Sequence, residues 1–141
     1  MMRAAREALI GKKKRPALLG VTILTSMDAA ALRRVCVSGP PASSALALAR
    51  LAKQAGLDGV VASAHEARAI RRACGPKFLI VVPGVRPATA ALNDQSRVAT
   101  PGEAIRAGAS YLVIGRPITG AADPRDAALS VAREMAEAGR S

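Results

Sequence analysis

Four short apolar segments recur along the chain, and a stretch of helical character follows each of them. They begin near Ala17, Asp58, Lys77 and Ser110. Nearly continuous apolar character is typical of strands that are buried on both faces, as in parallel sheets. Strands that alternate with helices therefore predict an α/β protein, either a doubly wound sheet or a (β/α) barrel. At 141 residues, we expect a single domain over 1–141.

Short sequence signals indicate where the helices begin. Asp28 and Asp123 each precede a helical stretch and are expected to be caps rather than site residues. Thr100 is followed by Pro101 and Glu103, the spacing of a capping box. Helices are predicted over 1–10, 42–54, 65–73 and 124–138, with His65 on a helix surface.

Gly115 and Arg116 follow the fourth apolar segment, which begins at Tyr111. Ligands of parallel α/β proteins bind at the carboxyl ends of the strands. A glycine there allows an anion to approach the backbone, and an arginine offers paired donors to phosphate oxygens. We interpret these two residues as half of a phosphate site. A strand-to-loop glycine followed by a solvated arginine is the alternative.

The formal net charge of +11 favours anionic partners but does not choose among them. Most basic residues are scattered along helical stretches, apart from a cluster at 12–15. Phe78 and Tyr111 are the aromatic residues, so the sequence offers no stacking platform for single-stranded nucleic acid. We therefore expect a solvated basic surface and no nucleic-acid partner.

The sequence offers no ligand set for zinc or iron, because Cys36, Cys74 and His65 have no metal-site spacing. Both cysteines are expected to be reduced and to contribute to packing. No apolar run reaches the ~20 residues of a membrane span, and the basic first residues lack the apolar segment of a signal peptide. These features predict a cytoplasmic protein without a membrane partner, a metal or a cofactor.

Five sequence blocks together resemble a known family. They are LLGVTILTSMD at 18–28, AGLDGVV at 55–61, VVPGVRP at 81–87, NDQSRV at 93–98 and GASYLVIGRPIT at 108–119. In order and spacing, these blocks resemble the orotidine 5'-phosphate decarboxylases. The resemblance implies a TIM-type (β/α)8 barrel that converts orotidine 5'-phosphate to uridine 5'-phosphate and CO₂ in pyrimidine synthesis.

The same resemblance implies a nucleotide ligand, a homodimer for the full-length family, and no cofactor or metal. Its substrate-binding positions fall on Thr25, Arg86, Gln95, Gly115 and Arg116. Thr25 is expected to touch the pyrimidine ring, and Gly115 with Arg116 to hold the phosphate. Thr25 and the adjacent serine also fit the start of a turn, so that alternative stays open.

The chain departs from the family in its length. A barrel of this type needs about 200–250 residues and eight strands, whereas about four strands are predicted here. We expect a half barrel of about four parallel strands with flanking helices, equivalent to the carboxyl-terminal half of a decarboxylase barrel.

The missing half would contain the family's reacting groups. They lie in a signature of the form Asp-Xaa-Lys-Xaa-Xaa-Asp, and no such spacing occurs in this sequence. We assign no catalytic residue and expect the chain to be inactive alone. The alternatives are a non-catalytic half barrel that binds nucleotide phosphate and pairs with another half, and a different sugar-phosphate barrel enzyme.

A half barrel has two unpaired sheet edges, and its helices cover one sheet face. Apolar side chains that would point into a closed barrel, along 17–24 and 78–82, should then be exposed. We therefore expect the isolated chain to dimerise, aggregate or need a complementary half.

Overall fold

The computed structural model describes residues 1–87 and 99–140, and its centre is a parallel sheet. The strands are β1 (Leu19–Val21), β2 (Gly59–Val61), β3 (Leu79–Pro83) and β4 (Tyr111–Val113). Within these ranges they form one four-stranded sheet in the order β1-β2-β3-β4, with every neighbouring pair parallel. Gly20 lies opposite Val60, which lies opposite Ile80. The predicted alternation of parallel strands with helices is confirmed.

Seven helices accompany these strands in the described part of the chain. They are α1 (Met2–Glu7), α2 (Ala29–Arg34), α3 (Pro41–Gln54), α4 (Ala64–Cys74), α5 (Pro101–Arg106), α6 (Arg116–Thr119) and α7 (Pro124–Ala138). None of these helices combines the length and apolar character that crossing a bilayer requires.

The predicted capping residues are confirmed. Asp28 Oδ1 accepts a 2.7 Å hydrogen bond from the Ala31 amide, and Asp123 Oδ1 accepts one of 3.0 Å from Asp126. At α5, the Thr100 amide donates to Glu103 Oε2 at 2.8 Å, and the Glu103 amide donates back to Thr100 Oγ1 at 3.2 Å. These bonds satisfy amide groups that a helix N-terminus would otherwise leave unpaired.

The main core lies between the sheet and α3, α4 and α5. Val60, Ile80 and Val82 point to this side and are almost fully buried. The helices present small side chains, such as Ala49 and Ala67, which allow close approach to the strands. Gly20 and Leu112 share this face, since they pair with Val60 and Val82. Because side chains alternate between the faces of a strand, residues such as Val21, Tyr111 and Val113 lie on the opposite face.

That opposite face is exposed at both sheet edges. Val21 of β1 is 61% exposed, and Tyr111 and Val113 of β4 are 58% and 54% exposed. The expectation that the fourth segment is buried on both faces is therefore wrong, and so is the burial expected for the first. The exposure expected of a half barrel is confirmed at β1 and β4, which each lack a strand neighbour on one side among the described residues. It is wrong for 78–82, where Leu79 and Val81 are half-buried and the other residues are buried.

Several elements differ from the sequence predictions. β1 covers three residues of the apolar run 17–24, and α1 ends at Glu7 before a turn that reaches Gly11. Helix α6 was not predicted, because Gly115 and Pro117 indicated a loop. Cys36 is exposed with a positive φ of 59°, so its predicted packing role is wrong, whereas Cys74 is buried as expected.

Two polar contacts fix the amino ends of the strands. Arg15 forms a bidentate ion pair with Asp58, at 2.7 and 2.8 Å, and the Leu18 amide donates to the same carboxylate at 2.8 Å. These contacts hold the pKa of Asp58 at about 2, the Arg15 hydrogen bond contributing most. They join the segment that enters β1 to the one that enters β2.

Arg71 of α4 makes a similar connection between β3 and β4. Its guanidinium donates to the Gly75 and Pro76 carbonyls at 2.9 Å and to the Gly108 carbonyl at 2.8 Å. It also donates to Ser110 Oγ at 2.8 Å. A single side chain thus fixes the end of α4 relative to the start of β4.

Candidate functional site

The carboxyl end of β3 carries the first candidate residue, Arg86. Gly84 follows the strand with φ of 73°, a left-handed conformation that glycine adopts without steric cost, and it turns the chain there. The Arg86 amide then donates to the Ala99 carbonyl at 3.0 Å, next to a parallel bridge between Val85 and Ala99. Arg86 is 4% exposed, so the fold holds a cationic residue at this edge in a buried position.

The carboxyl end of β4 carries Gly115 and Arg116. Gly115 caps α6, and its carbonyl accepts amide hydrogen bonds from Ile118 at 2.8 Å and Thr119 at 3.0 Å. A Cβ atom added at Gly115 would meet no atom within 4 Å, so the space in front of this backbone is open. Arg116 is exposed and is the first residue of α6.

These two strand ends form one cavity of about 290 Å³, here called the β3–β4 hollow. It is lined by Pro83, Gly84, Val85, Arg86, Val113, Gly115, Arg116 and Pro117. β3 and β4 are neighbours in the sheet, which is why their carboxyl ends converge. The fold therefore brings together three of the five predicted substrate-binding residues.

Thr25 lies in an adjoining cavity of about 320 Å³, the β1–β2 hollow. It is lined by Val21, Ile23, Leu24, Thr25, Ser26, Val61, Ala62 and Pro83. Thr25 and Ser26 are also the central residues of a turn closed by a 2.9 Å hydrogen bond from the Met27 amide to the Leu24 carbonyl. The turn that the sequence suggested for Thr25 and Ser26 is therefore present. Thr25 lines the cavity as well.

Pro83 lines both cavities, so the two hollows meet at the end of β3. One contains two arginines and an exposed glycine, and the other is mainly apolar with two hydroxyl groups. This arrangement suits a ligand with an anionic group at one end and a flat, weakly polar group at the other. Sequence analysis did not identify Pro83, although its position before Gly84 at the end of an apolar run was a usable signal.

The fifth predicted residue, Gln95, lies outside the described residues. Within residues 1–87 and 99–140, no group of three or more histidine, cysteine, aspartate or glutamate side chains is placed to hold a metal ion. No lysine in the described part of the chain lines either hollow, whereas Lys53 and Lys77 line a cavity at the opposite end of the sheet.

A family model described as "Orotidine 5'-phosphate decarboxylase / HUMPS family" matches residues 1–131. The chain belongs to this family. The family assignment made from the five sequence blocks is confirmed.

Two relatives illustrate the similarity. The chain is 53% identical over 135 residues to orotidine 5'-phosphate decarboxylase of Nitrosococcus oceani, covering 96% of this chain and 58% of the relative. It is 52% identical over 139 residues to the decarboxylase of Halorhodospira halophila, covering 99% of this chain and 59% of the relative. The chain thus spans rather more than half the length of the family members it matches.

Solved structures agree with the fold. The crystal structure of orotidine 5'-phosphate decarboxylase from Lactobacillus acidophilus superposes with a TM-score of 0.78 at 37% identity, covering 96% of this chain and 58% of that one. The enzyme from Pyrococcus horikoshii gives a TM-score of 0.51 at 26% identity over 64% of this chain. The predicted fold class, a half barrel of four parallel strands within this family, is confirmed.

Proposed function

We propose that this chain is the nucleotide-binding part of an orotidine 5'-phosphate decarboxylase and that it lacks the groups that remove CO₂. Arg86, Gly115 and Arg116 would hold the phosphate of orotidine 5'-phosphate or uridine 5'-phosphate. Thr25 would contact the pyrimidine ring in the adjoining β1–β2 hollow. The convergence of two arginines and an open glycine on the β3–β4 hollow is the observation that carries this proposal.

The physical basis is recognition of a phosphate at the carboxyl edge of a parallel sheet. Guanidinium groups donate paired, charge-assisted hydrogen bonds to phosphate oxygens, and these are stronger than neutral hydrogen bonds. Burial of Arg86 reduces the conformational freedom that its side chain loses when a ligand binds. In the whole enzyme, binding energy from this phosphate could lower the barrier to reaction without direct contact at the reacting carbon.

Replacement of Arg116 tests the phosphate site. We expect Arg116→Ala to weaken binding of uridine 5'-phosphate by about 1.5–3 kcal/mol, the contribution of a hydrogen bond to a charged group. Isothermal titration calorimetry measures this affinity, with uridine as the ligand that lacks the phosphate. Arg133→Ala is the matched control, because Arg133 is an exposed arginine of α7 that lines neither hollow.

The two ligands and two variants separate the possible outcomes. Arg116→Ala should affect uridine 5'-phosphate and leave uridine nearly unchanged, while Arg133→Ala should affect neither. Equal affinities of the Arg116→Ala and unmodified chains for uridine 5'-phosphate would remove Arg116 from the proposed site.

The absence of a reacting lysine leads to a second measurement. The sequence has no Asp-Xaa-Lys-Xaa-Xaa-Asp spacing, and none of the lysines that the structure describes lines either hollow. We expect the purified 141-residue chain to leave the absorbance of orotidine 5'-phosphate unchanged even at high protein concentration. Steady loss of that absorbance would mean that a lysine reaches the reacting carbon, for example across a dimer.

The exposed sheet face favours a second candidate function, a binding half that pairs with complementary strands. Val21, Tyr111 and Val113 form an apolar surface on the two edge strands. Unpaired strand edges beside apolar side chains promote association with further strands. Analytical ultracentrifugation tests this: we expect dimers or larger species, and a cooperatively melting monomer would contradict the pairing.

A further inference from the structure

A third cavity lies at the amino end of the sheet, opposite the candidate nucleotide site. This amino-end hollow is a wide depression that is open to solvent, with a volume of about 610 Å³. The segments that enter β1, β2 and β3 surround it, together with the ends of α3 and α4. Phe78 and Cys74 provide a buried apolar floor, and Lys53 and Lys77 are exposed at its rim.

The charge around this hollow is predominantly positive. Among the residues that the structure describes, Arg15, Lys53 and Lys77 line it together with one carboxylate, that of Asp58. The bidentate ion pair with Arg15 already engages that carboxylate, as does the Leu18 amide. Lys53 and Lys77 therefore supply the excess positive charge of the amino-end hollow.

The electrostatic field extends to the floor of the hollow. Burial raises the pKa of the Cys74 thiol, whereas Lys53, Arg50 and Arg71 act in the opposite direction. Burial is the larger effect and the pKa of the thiol is raised, so the floor disfavours negative charge despite the three nearby cations. An anionic group would therefore lie at the rim, beside Lys53 and Lys77, and not at the floor.

We propose that the amino-end hollow binds a small ligand that combines an apolar body with one or two negatively charged groups, such as an aryl phosphate or aryl carboxylate. The apolar body would lie against the exposed Pro16 and Ala17 and the half-buried Leu79, next to the buried Phe78. The anionic group would lie between the ammonium groups of Lys53 and Lys77. An apolar floor with a cationic rim is complementary to both parts of such a molecule.

This site is independent of the proposed nucleotide site. Leu79 at the start of β3 lines the amino-end hollow, and Pro83 at the end of β3 lines the β3–β4 hollow. At about 3.3 Å per strand residue, the two cavities are separated by roughly 13 Å along this strand. Ligand binding at the amino-end hollow can therefore be measured in variants of the β3–β4 hollow, and the reverse.

The test uses 1-naphthyl phosphate as the probe, with 1-naphthol and inorganic phosphate as its two parts. Calorimetry measures affinity, and amide chemical shifts locate the bound probe. We expect shifts around Lys77 and Phe78, and affinity for 1-naphthyl phosphate at least about tenfold higher than for either part. The double variant Lys53→Ala, Lys77→Ala should lower the affinity for 1-naphthyl phosphate by about tenfold or more.

Control variants make the outcome decisive. Lys53→Arg with Lys77→Arg should retain the affinity, because both charges remain, and Arg116→Ala should leave the shifts around Phe78 unchanged. Both lysines are exposed, so thermal melts of the variants should match that of the unmodified chain. Three results would each overturn the proposal: unchanged affinity in the alanine variant, equal binding of 1-naphthol, or shifts confined to the residues of the β3–β4 hollow.

Discussion

The central strands and the edge strands are equally apolar in sequence but differ in their surroundings. On the face turned away from the helices, Val61 of β2 and Val81 of β3 are half-buried between neighbouring strands. In the same row, Val21 of β1 and Tyr111 of β4 are more than half exposed. Apolar character therefore shows which residues prefer burial, whereas the actual burial depends on which neighbours this chain provides.

Replacement in the central strands should have the largest effect on stability. Ile80→Ala removes a fully buried side chain from the face that meets α4, and we expect a loss of about 2–5 kcal/mol in the free energy of unfolding. Urea denaturation followed by circular dichroism measures this loss. A change below 1 kcal/mol would mean that the helix-covered face is less tightly packed than the burial of Ile80 indicates.

Gly59 gives the next largest expected effect. It lies opposite Leu79 in the β2–β3 register, and a Cβ atom added there would collide with the Leu79 backbone carbonyl. We expect Gly59→Ala to cost about 1–3 kcal/mol, the usual range for overpacking. Gly115→Ala is the matched control, since a Cβ atom at Gly115 meets nothing within 4 Å. Equal melting temperatures for the two variants would contradict the close approach at Gly59.

The ion pair that joins β1 to β2 should contribute less, in a way that depends on pH. The pKa of Asp58 is about 2 in the folded chain, below its ordinary value of 3.8. Its carboxylate therefore stabilises the fold above pH ~4, and this contribution is lost as the pH falls through about 2. We expect Asp58→Asn to cost about 1 kcal/mol at pH 7 and progressively less as the pH falls from about 4 through 2. If the difference in the free energy of unfolding between Asp58→Asn and the unmodified chain does not change with pH, the ion pair is not its cause.

Replacement on the exposed face should have the smallest effect on stability. Val113→Thr keeps the β-branched shape on β4 and should change the free energy of unfolding by no more than about 0.5 kcal/mol. The same variant should reduce self-association in sedimentation experiments, because it removes apolar surface from the open edge. A loss comparable to that of Ile80→Ala would show that this face is covered in solution.

Features that depend on nearby residues could be predicted from the sequence. The Thr100 and Glu103 capping box is an example, because both partners lie within one helical turn. The convergence of Arg86 with Gly115 and Arg116 is a long-range feature, but it was predictable as well, because neighbouring parallel strands end at the same sheet edge.

Features that depend on distant pairing were not predictable in the same way. Arg15 appeared as part of a basic linker, since nothing near it in sequence indicates a partner 43 residues away. The arginine of α4, Arg71, appeared as one more solvated charge, although it joins the start of β4 to α4. Helix α6 was missed because four residues between a glycine and a loop carry no helical periodicity.

The order of the strands has a consequence for the synthesis of this chain. Each strand pairs with the one that precedes it in the sequence, so no strand waits for a later one to be inserted between existing neighbours. The sheet can therefore grow from β1 to β4 as the polypeptide leaves the ribosome. Each parallel pairing joins residues at least 20 positions apart and is slow to form, but growth in that direction requires no strand pair to be broken again.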